Sequence, residues 1–383
     1  MKRKKIIIAH AHTSIEIFHS LLPFIRLSYS ENEFDIKFID HKIFNLNNYQ
    51  ADLLIIVRKY QYFDPSTGPN QKAIISELKN YRKNYSKIVY FDDNASVTYM
   101  FFFIFPFIDS YWVRGLLNEN ESYKSAFYGA RTFSNFYHEK YKVKDDPEYY
   151  SPTCKDITQL KKVKIAWNIG IGCFPTNERS LKNRYYKIIR KVITGLSITS
   201  LIKPIYFITD MYLEMMKNEL QKEINLEKKV NLIHARFSSK VYHKSIGFQR
   251  DLLTKKLKNY SNCLSGKVEL KQYIKECGYV FATLSPFGWG EVCYRDFEAA
   301  IGGSILIKPD MSHLITWPNI YQDDTYISLD WDFNNLSLLE NLENKKEKFS
   351  KYVIKSREIY LNSLNSFEDR AKNMINNVIQ TSN

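Results

Sequence analysis

The sequence holds no apolar run long enough to cross a bilayer. Its longest, Met100–Ile108, has nine residues, against the roughly 20 that a spanning helix needs. A cleaved leader is not expected either, because the basic Met1–Lys5 is followed by only Ile6–Ile8 before the chain reaches His10 and His12. Cysteine is scarce, with five in 383 residues (Cys154, Cys173, Cys263, Cys277 and Cys293). They form no C-x-x-C pair and no metal-ligand spacing, so no metal is expected. An odd number so widely scattered speaks for reduced thiols in a cytoplasmic protein. Cys/His finger spacings and RNP-like aromatic strands are missing, which argues against a nucleic-acid partner. Low-complexity tracts and repeats of solenoid period are absent too.

What remains is the balance of a folded protein, 44% hydrophobic and 25% charged. The length suits two domains of roughly 150–200 residues. Net charge is +14, from 55 Lys+Arg against 41 Asp+Glu. Such an excess favours a polyanionic partner, either a phosphorylated substrate or the anionic inner face of the cytoplasmic membrane. The alternative is a solvated basic surface with no partner. The densest basic runs are Lys2–Lys5, Lys161–Lys164, Lys182–Lys191 and Lys255–Lys258. The aromatic stretch Met100–Phe107 reads either as core or as a membrane-dipping surface, and its apolar residues are not confined to one face.

Along residues 1–150, apolar strands alternate with amphipathic helices. Strands are expected at Lys5–Ala9, Phe34–Asp40, Ala51–Arg58, Lys87–Phe91 and Ser110–Val113, and helices at Ser14–Tyr29 and Gln71–Asn84. Strands apolar on both faces and separated by helices indicate a parallel sheet covered on both sides. The polar stretch Lys140–Lys162 reads as an interdomain linker. The pattern then restarts over 151–345, with strands at Val163–Ile169, Pro204–Thr209, Val230–Ala235, Tyr279–Leu284 and Ser304–Ile307. Helices are expected at Leu181–Gly195, Met211–Ile224, Gln249–Leu257, Leu270–Glu276 and Glu291–Ile301, and a helical segment over 346–383 closes the chain. The expected fold class is α/β, with two Rossmann-like domains (1–150 and 151–345) facing across a cleft.

The chemistry concentrates in Ser285-Pro-Phe-Gly-Trp-Gly-Glu-Val-Cys-Tyr-Arg-Asp-Phe-Glu-Ala-Ala-Ile-Gly-Gly303. A strand, a glycine-containing turn and a helix N-terminus in succession offer backbone N–H groups and a positive dipole end to an anion. Gly288 and Gly290 permit close backbone approach, and Arg295, about one turn into the helix, can add charge. This run resembles the donor-site motif of GT-B glycosyltransferases, closest to the glycosyltransferase group 1 and exostosin-like sequences. The resemblance covers roughly residues 230–332. It implies a nucleotide-sugar donor, with Glu298 on the ribose and Gly288, Trp289 and Gly290 lining the diphosphate turn; packing is the alternative for Trp289. The sequence departs from the retaining members, which carry two Glu residues with seven between them. Gly290 stands eight before Glu298, the nearest Glu is Glu291, a further catalytic candidate, and Ser285 stands where the family's first Glu precedes Pro-Phe-Gly. Retention or inversion therefore stays open.

Strand ends in open α/β sheets point into the crevice, which makes Lys308, Asp310 and His313 donor-side candidates. Arg236 and Arg250, near the same edge, can clamp a diphosphate in place of a metal; surface or ion-pair roles are the alternative. On the N-terminal side His10 and His12 are candidate bases for an acceptor hydroxyl. Asp92, beside Asp93, is a competing carboxylate unless the pair caps a helix. The expectation is a metal-independent glycosyltransferase without cofactor, acting on a glycan or lipid-linked acceptor in surface polysaccharide synthesis. Another nucleotide-sugar or phosphoryl-group enzyme on the same scaffold, or a basic nucleic-acid-binding protein, is the alternative.

Overall fold

The computed structural model describes residues 3–10, 18–60, 68–172, 202–340 and 342–381. His12, Cys173, the helix expected over Leu181–Gly195 and the basic run Lys182–Lys191 lie outside them.

Two parallel sheets form the frame. The first has six strands, β1 (Lys4–His10), β2 (Phe34–Asp40), β3 (Ala51–Val57), β4 (Tyr85–Asp92), β5 (Ser110–Val113) and β7 (Val163–Ile165), ordered β2-β1-β3-β4-β5-β7. The second has five, β8 (Val230–Ala235), β9 (Cys263–Ser265), β10 (Val280–Leu284), β11 (Ile305–Pro309) and β13 (Tyr326–Leu329), ordered β13-β11-β10-β8-β9. Every pairing within either sheet is parallel. The continuous apolar runs explain this, since Ile6, Ile8, Leu53, Ile55, Val89 and Phe91 have no exposed face to give to water. Strand order reverses between β1 and β3 in one sheet and between β8 and β10 in the other, and open α/β sheets place ligands over such switch points.

Helices α1 (Phe18–Ser30), α2 (Gln71–Tyr81) and α3 (Thr132–Tyr141) belong to the first half, and α4 (Ile202–Gln221), α5 (Lys244–Leu257), α6 (Leu270–Tyr279) and α7 (Tyr294–Gly302) to the second. The expected core of the first half includes the aromatic run: Met100, Phe101, Ile104 and Phe105 are buried, and Phe102–Phe107 forms a 3-10 turn. The membrane-dipping alternative for that run does not hold. Among the described residues no helix is long and apolar enough to cross a membrane.

Two expectations are corrected. Residues 204–209 are not a strand but lie within α4, whose buried Tyr212, Leu213, Met216 and Leu220 recur at helical spacing and carry the helix through. The strand expected at Val163–Ile169 is only three residues long and belongs to the first sheet, where it pairs with β5. The polar stretch before it is anchored to the other half, where Asp145 accepts bonds from the Ser245 backbone N–H at 2.8 Å and its hydroxyl at 2.6 Å.

The halves are stapled in two further ways. A two-stranded antiparallel sheet joins β6 (Gly115–Leu117) of the first half to β12 (Leu314–Thr316) of the second. The closing helix α8 (Lys346–Gln380) spans both cores. Its Phe349 and Val353 belong to the core of the second sheet, while Tyr360, Leu364, Phe367, Ala371, Ile375 and Val378 belong to the larger core that holds the first sheet, α1, α4 and part of α7, with Tyr360 4.9 Å from the Phe297 ring. That spacing of three and four keeps one apolar stripe on one face for the whole length.

Candidate active site in the cleft between the sheets

The carboxyl ends of both sheets open onto a cleft of about 570 Å³. Five arginines line it, Arg58, Arg114, Arg131, Arg250 and Arg295, against the carboxylates Asp93 and Glu298. Of the candidate donor-side residues, Gly288, Trp289, Gly290, Arg250, Arg295 and Glu298 reach it; Arg236, Lys308, Asp310 and His313 do not. Of the candidate bases, neither His10, Asp92 nor Glu291 lines it.

The turn after β10 is built around Asp296. That side chain accepts bonds from the Ser285 hydroxyl, the Cys293 backbone N–H at 2.8 Å and the Tyr321 hydroxyl at 2.7 Å. Lys308, fully buried, pairs with it at 3.1 Å. Lys308 is thus the counter-ion of a buried carboxylate and not a donor ligand. Arg250 donates from Nε to the Phe287 carbonyl at 2.7 Å and from Nη1 to the Ser238 carbonyl at 3.0 Å, which clamps the turn from behind. Gly290 serves a different approach from the one its position suggests: a Cβ there would sit 2.2 Å from the Ala95 carbonyl oxygen, so it is where the two halves touch. Arg295 runs along the cleft wall with Nη2 on the Arg236 carbonyl at 2.7 Å, and its buried Nε has no bond. Glu298 takes a bond from the Tyr273 hydroxyl at 2.6 Å on Oε2. Trp289 is 44% exposed at the mouth, with ring centroids of Tyr242 and His243 at 5.2 and 5.3 Å.

The remaining donor-side candidates have structural partners. Arg236 forks onto Glu276 at 2.8 and 2.7 Å. Asp310 accepts from the Ser312 hydroxyl at 2.6 Å and closes a turn. His313 shares Thr132 with Glu291, each 3.3 Å from the Thr132 hydroxyl. Burial lowers His313 to about 4 and pushes the Glu291 carboxyl up. This pair sits in the contact between the halves, away from the cleft lining. His10 is buried at the end of β1, edge-on to Phe38. Asp92 accepts from the Tyr111 hydroxyl and, at 3.1 Å, from the Asn94 backbone N–H.

The cleft wall from the first half holds residues that the sequence motifs do not mark. His19, in the first turn of α1, lies with Nε2 2.9 Å from Asp93 Oδ1. Arg114 Nε shares that oxygen, and Arg58 stands 3.8 Å from Oδ2. Arg58 turns off the end of β3 with φ 59°, a left-handed conformation uncommon for a residue with a Cβ. Burial works against the charge on Asp93, yet Arg114 and His19 outweigh it and hold the carboxyl well below its usual range. Burial also lowers His19, with Asp93 opposing, so the imidazole is neutral at neutral pH. A neutral ring facing an ionised carboxylate carries its proton on Nε2, and Nδ1, buried and without a hydrogen bond, keeps its lone pair. The carboxylate thus fixes the tautomer and orientation of the ring. The histidine is legible only as the third in a short His10, His12, His19 series, on a helix face that reads as apolar packing.

Among the described residues no group of three or more His, Cys, Asp or Glu gathers closely enough to hold a metal. The four described cysteines are free.

No protein-family model matches the sequence, and no curated protein is found as a relative. Solved structures align with it along nearly the whole chain. HepE of Anabaena, in complex with UDP and glucose, aligns over 98% of this chain and 100% of its own at 8% identity, with a TM-score of 0.41. An alpha-glucosyltransferase in complex with UDP aligns over 98% and 99% at 11% identity and 0.40. BGT of T4 phage, in complex with its UDP-glucose substrate, aligns over 98% and 100% at 11% identity and 0.39. The α/β assignment with two facing parallel sheets stands on this chain's own strand pairings.

Proposed function

We propose that this chain is a glycosyltransferase of the GT-B type, moving a sugar from a nucleoside diphosphate sugar to a hydroxyl acceptor. The observation that carries the reading is the cleft itself: a guanidinium-rich wall and a ribose-type carboxylate, Glu298, face a histidine–aspartate pair across one opening. On the donor side Glu298 Oε1 would take a ribose hydroxyl, Arg295 and Arg131 the diphosphate, and Trp289 the base. His19 Nδ1 would remove the acceptor hydroxyl proton as that oxygen bonds to the anomeric carbon. The bond from that carbon to the phosphate oxygen breaks as the new one forms, and its electron pair leaves with the nucleoside diphosphate. Fixed guanidinium groups would stabilise the leaving charge, the task a divalent metal performs elsewhere. A glycan or lipid-linked acceptor, surface polysaccharide synthesis and contact with an anionic membrane face are the setting we favour for so basic a chain.

The test is thermal unfolding with UDP, GDP, CMP, ADP and TDP, each with and without EDTA, with UDP (the nucleotide present in the aligned structures) tried first. At about 100 times its dissociation constant a ligand adds about 2.7 kcal/mol of stability. One nucleotide should raise the melting temperature, EDTA should not change that, and Glu298→Ala should abolish it. No shift with any nucleotide would overturn the reading.

A further inference from the structure

A second groove of about 1220 Å³ runs along the edge of the first sheet, between β7 and the last turns of α8, and it shares no residue with the nucleotide cleft. Its walls are of two kinds. Leu116, Trp317, Met374 and Val378 give it an apolar side. Lys161, Lys162, Lys164 and Arg370 give it a cationic one, and the first three form the basic run that no function has so far absorbed.

That positive charge is not neutralised from within. Arg370 lines the groove with Nε on the Ala166 carbonyl at 2.6 Å and Nη2 on the Ile165 carbonyl, its guanidinium 4.6 Å from the centroid of the Trp317 ring. Lys162 is likewise held by carbonyls, those of Phe105 and Ile108 at 2.7 and 2.8 Å. Lys161 and Lys164 are exposed and form no ion pair among the described residues. Of the two carboxylates in the lining, Asp109 is already taken by Arg82 at 2.7 Å and Lys87 at 3.6 Å, which leaves Asp369 alone. A half-buried guanidinium beside an apolar wall is costly without an anion, and the groove exceeds the roughly 300–1,000 Å³ of ordinary small-molecule pockets.

We infer that this groove binds a long-chain anionic amphiphile, its phosphate or carboxylate head on Lys161, Lys164 and Arg370 and its chain along Leu116, Trp317 and Met374. A bare anion leaves the apolar wall uncovered, and a neutral chain leaves the cations uncompensated. The assignment does not rest on the transferase reading.

Calorimetric titration of the full chain with octyl, decyl and dodecyl phosphate, each below its aggregation concentration, tests it. At about 0.8 kcal/mol per buried methylene, affinity should rise about fourfold with each added carbon. Inorganic phosphate and dodecyl maltoside should bind at least tenfold more weakly than dodecyl phosphate. The exposed double variant Lys161→Glu/Lys164→Glu should weaken dodecyl phosphate at least tenfold with an unchanged melting temperature, and Met374→Gln should flatten the chain-length dependence. Equal affinity for octyl and dodecyl phosphate, for phosphate alone or for the maltoside would overturn the proposal, as would full affinity in the charge-reversed variant. Any nucleotide-induced melting shift of the parent should persist in these variants, since groove and cleft share no residue; its loss would overturn the assignment of the groove as a separate site.

Discussion

Asp93 collects His19, Arg114 and Arg58 on two oxygens. Each partner needs the carboxylate charged, and the carboxylate in turn fixes which imidazole nitrogen carries the proton. His19→Ala should therefore cut the turnover number by about 10²–10⁴, the range for a general base. Asp93→Asn should approach that loss, because a carboxamide no longer dictates the tautomer. The Michaelis constant for the donor should change little in either. The base form of His19 is the neutral ring, lost as pH falls through its pKa, and burial puts that pKa below 6.5. Turnover should thus stay level from pH 8 down to the ordinary histidine range and fall only on the acid side of it. A rate–pH profile of both variants and the parent checks this; an unchanged acid limb in His19→Ala would remove the histidine from the chemistry.

At the scale of elements, the segment from β10 through α7 depends on Asp296 and Lys308, both fully buried. Removing one member of a buried pair leaves the other uncompensated at a cost of about 3–5 kcal/mol. Asp296→Asn and Lys308→Met should each lower the unfolding free energy by that much in denaturant titrations, and the double variant by less than their sum. Single losses under about 1 kcal/mol would show the pair to be solvated. The same segment shows what the sequence disclosed. Strand, turn and helix were legible because Val280–Leu284 is apolar except for Thr283 and glycine punctuates the turn. The division of labour within it was not. Asp296 and Lys308 lie 12 residues apart, on α7 and β11, and meet only when that helix packs on that strand. Gly290 reads as a phosphate contact until Ala95 of the other half is seen against it. His19 and Asp93, 74 residues apart, are brought together by the first sheet's topology, which no local pattern encodes. Residues 204–209 show the opposite error, a short apolar run that suits strand or helix equally until its longer surroundings decide.

On the scale of the whole molecule, two Rossmann-like halves joined by a tether would be expected to unfold separately. This chain is built otherwise. Helix α8 buries Phe349 and Val353 in the core of the second sheet and Tyr360 through Val378 in the larger core that includes the first, so neither core is complete without it. Between those two sets, Arg357 donates to the Ala300 carbonyl near the end of α7 at 2.8 Å and to the Glu219 carbonyl near the end of α4 at 2.5 Å. A cation at two helix C-termini is favoured by both dipoles. The β6–β12 pairing and the Asp145–Ser245 contact add crossings elsewhere. Losing a large apolar side chain from such a stripe costs about 2–5 kcal/mol, a sizeable part of the roughly 5–15 kcal/mol a whole protein usually has. Calorimetry should therefore show one transition, with van't Hoff and calorimetric enthalpies in agreement. Leu364→Ala, at a buried position outside the core of the second sheet, should move that single transition downward without splitting it. A second transition in the variant, with the β8–β13 sheet melting at its original temperature, would mean that α8 does not couple the halves.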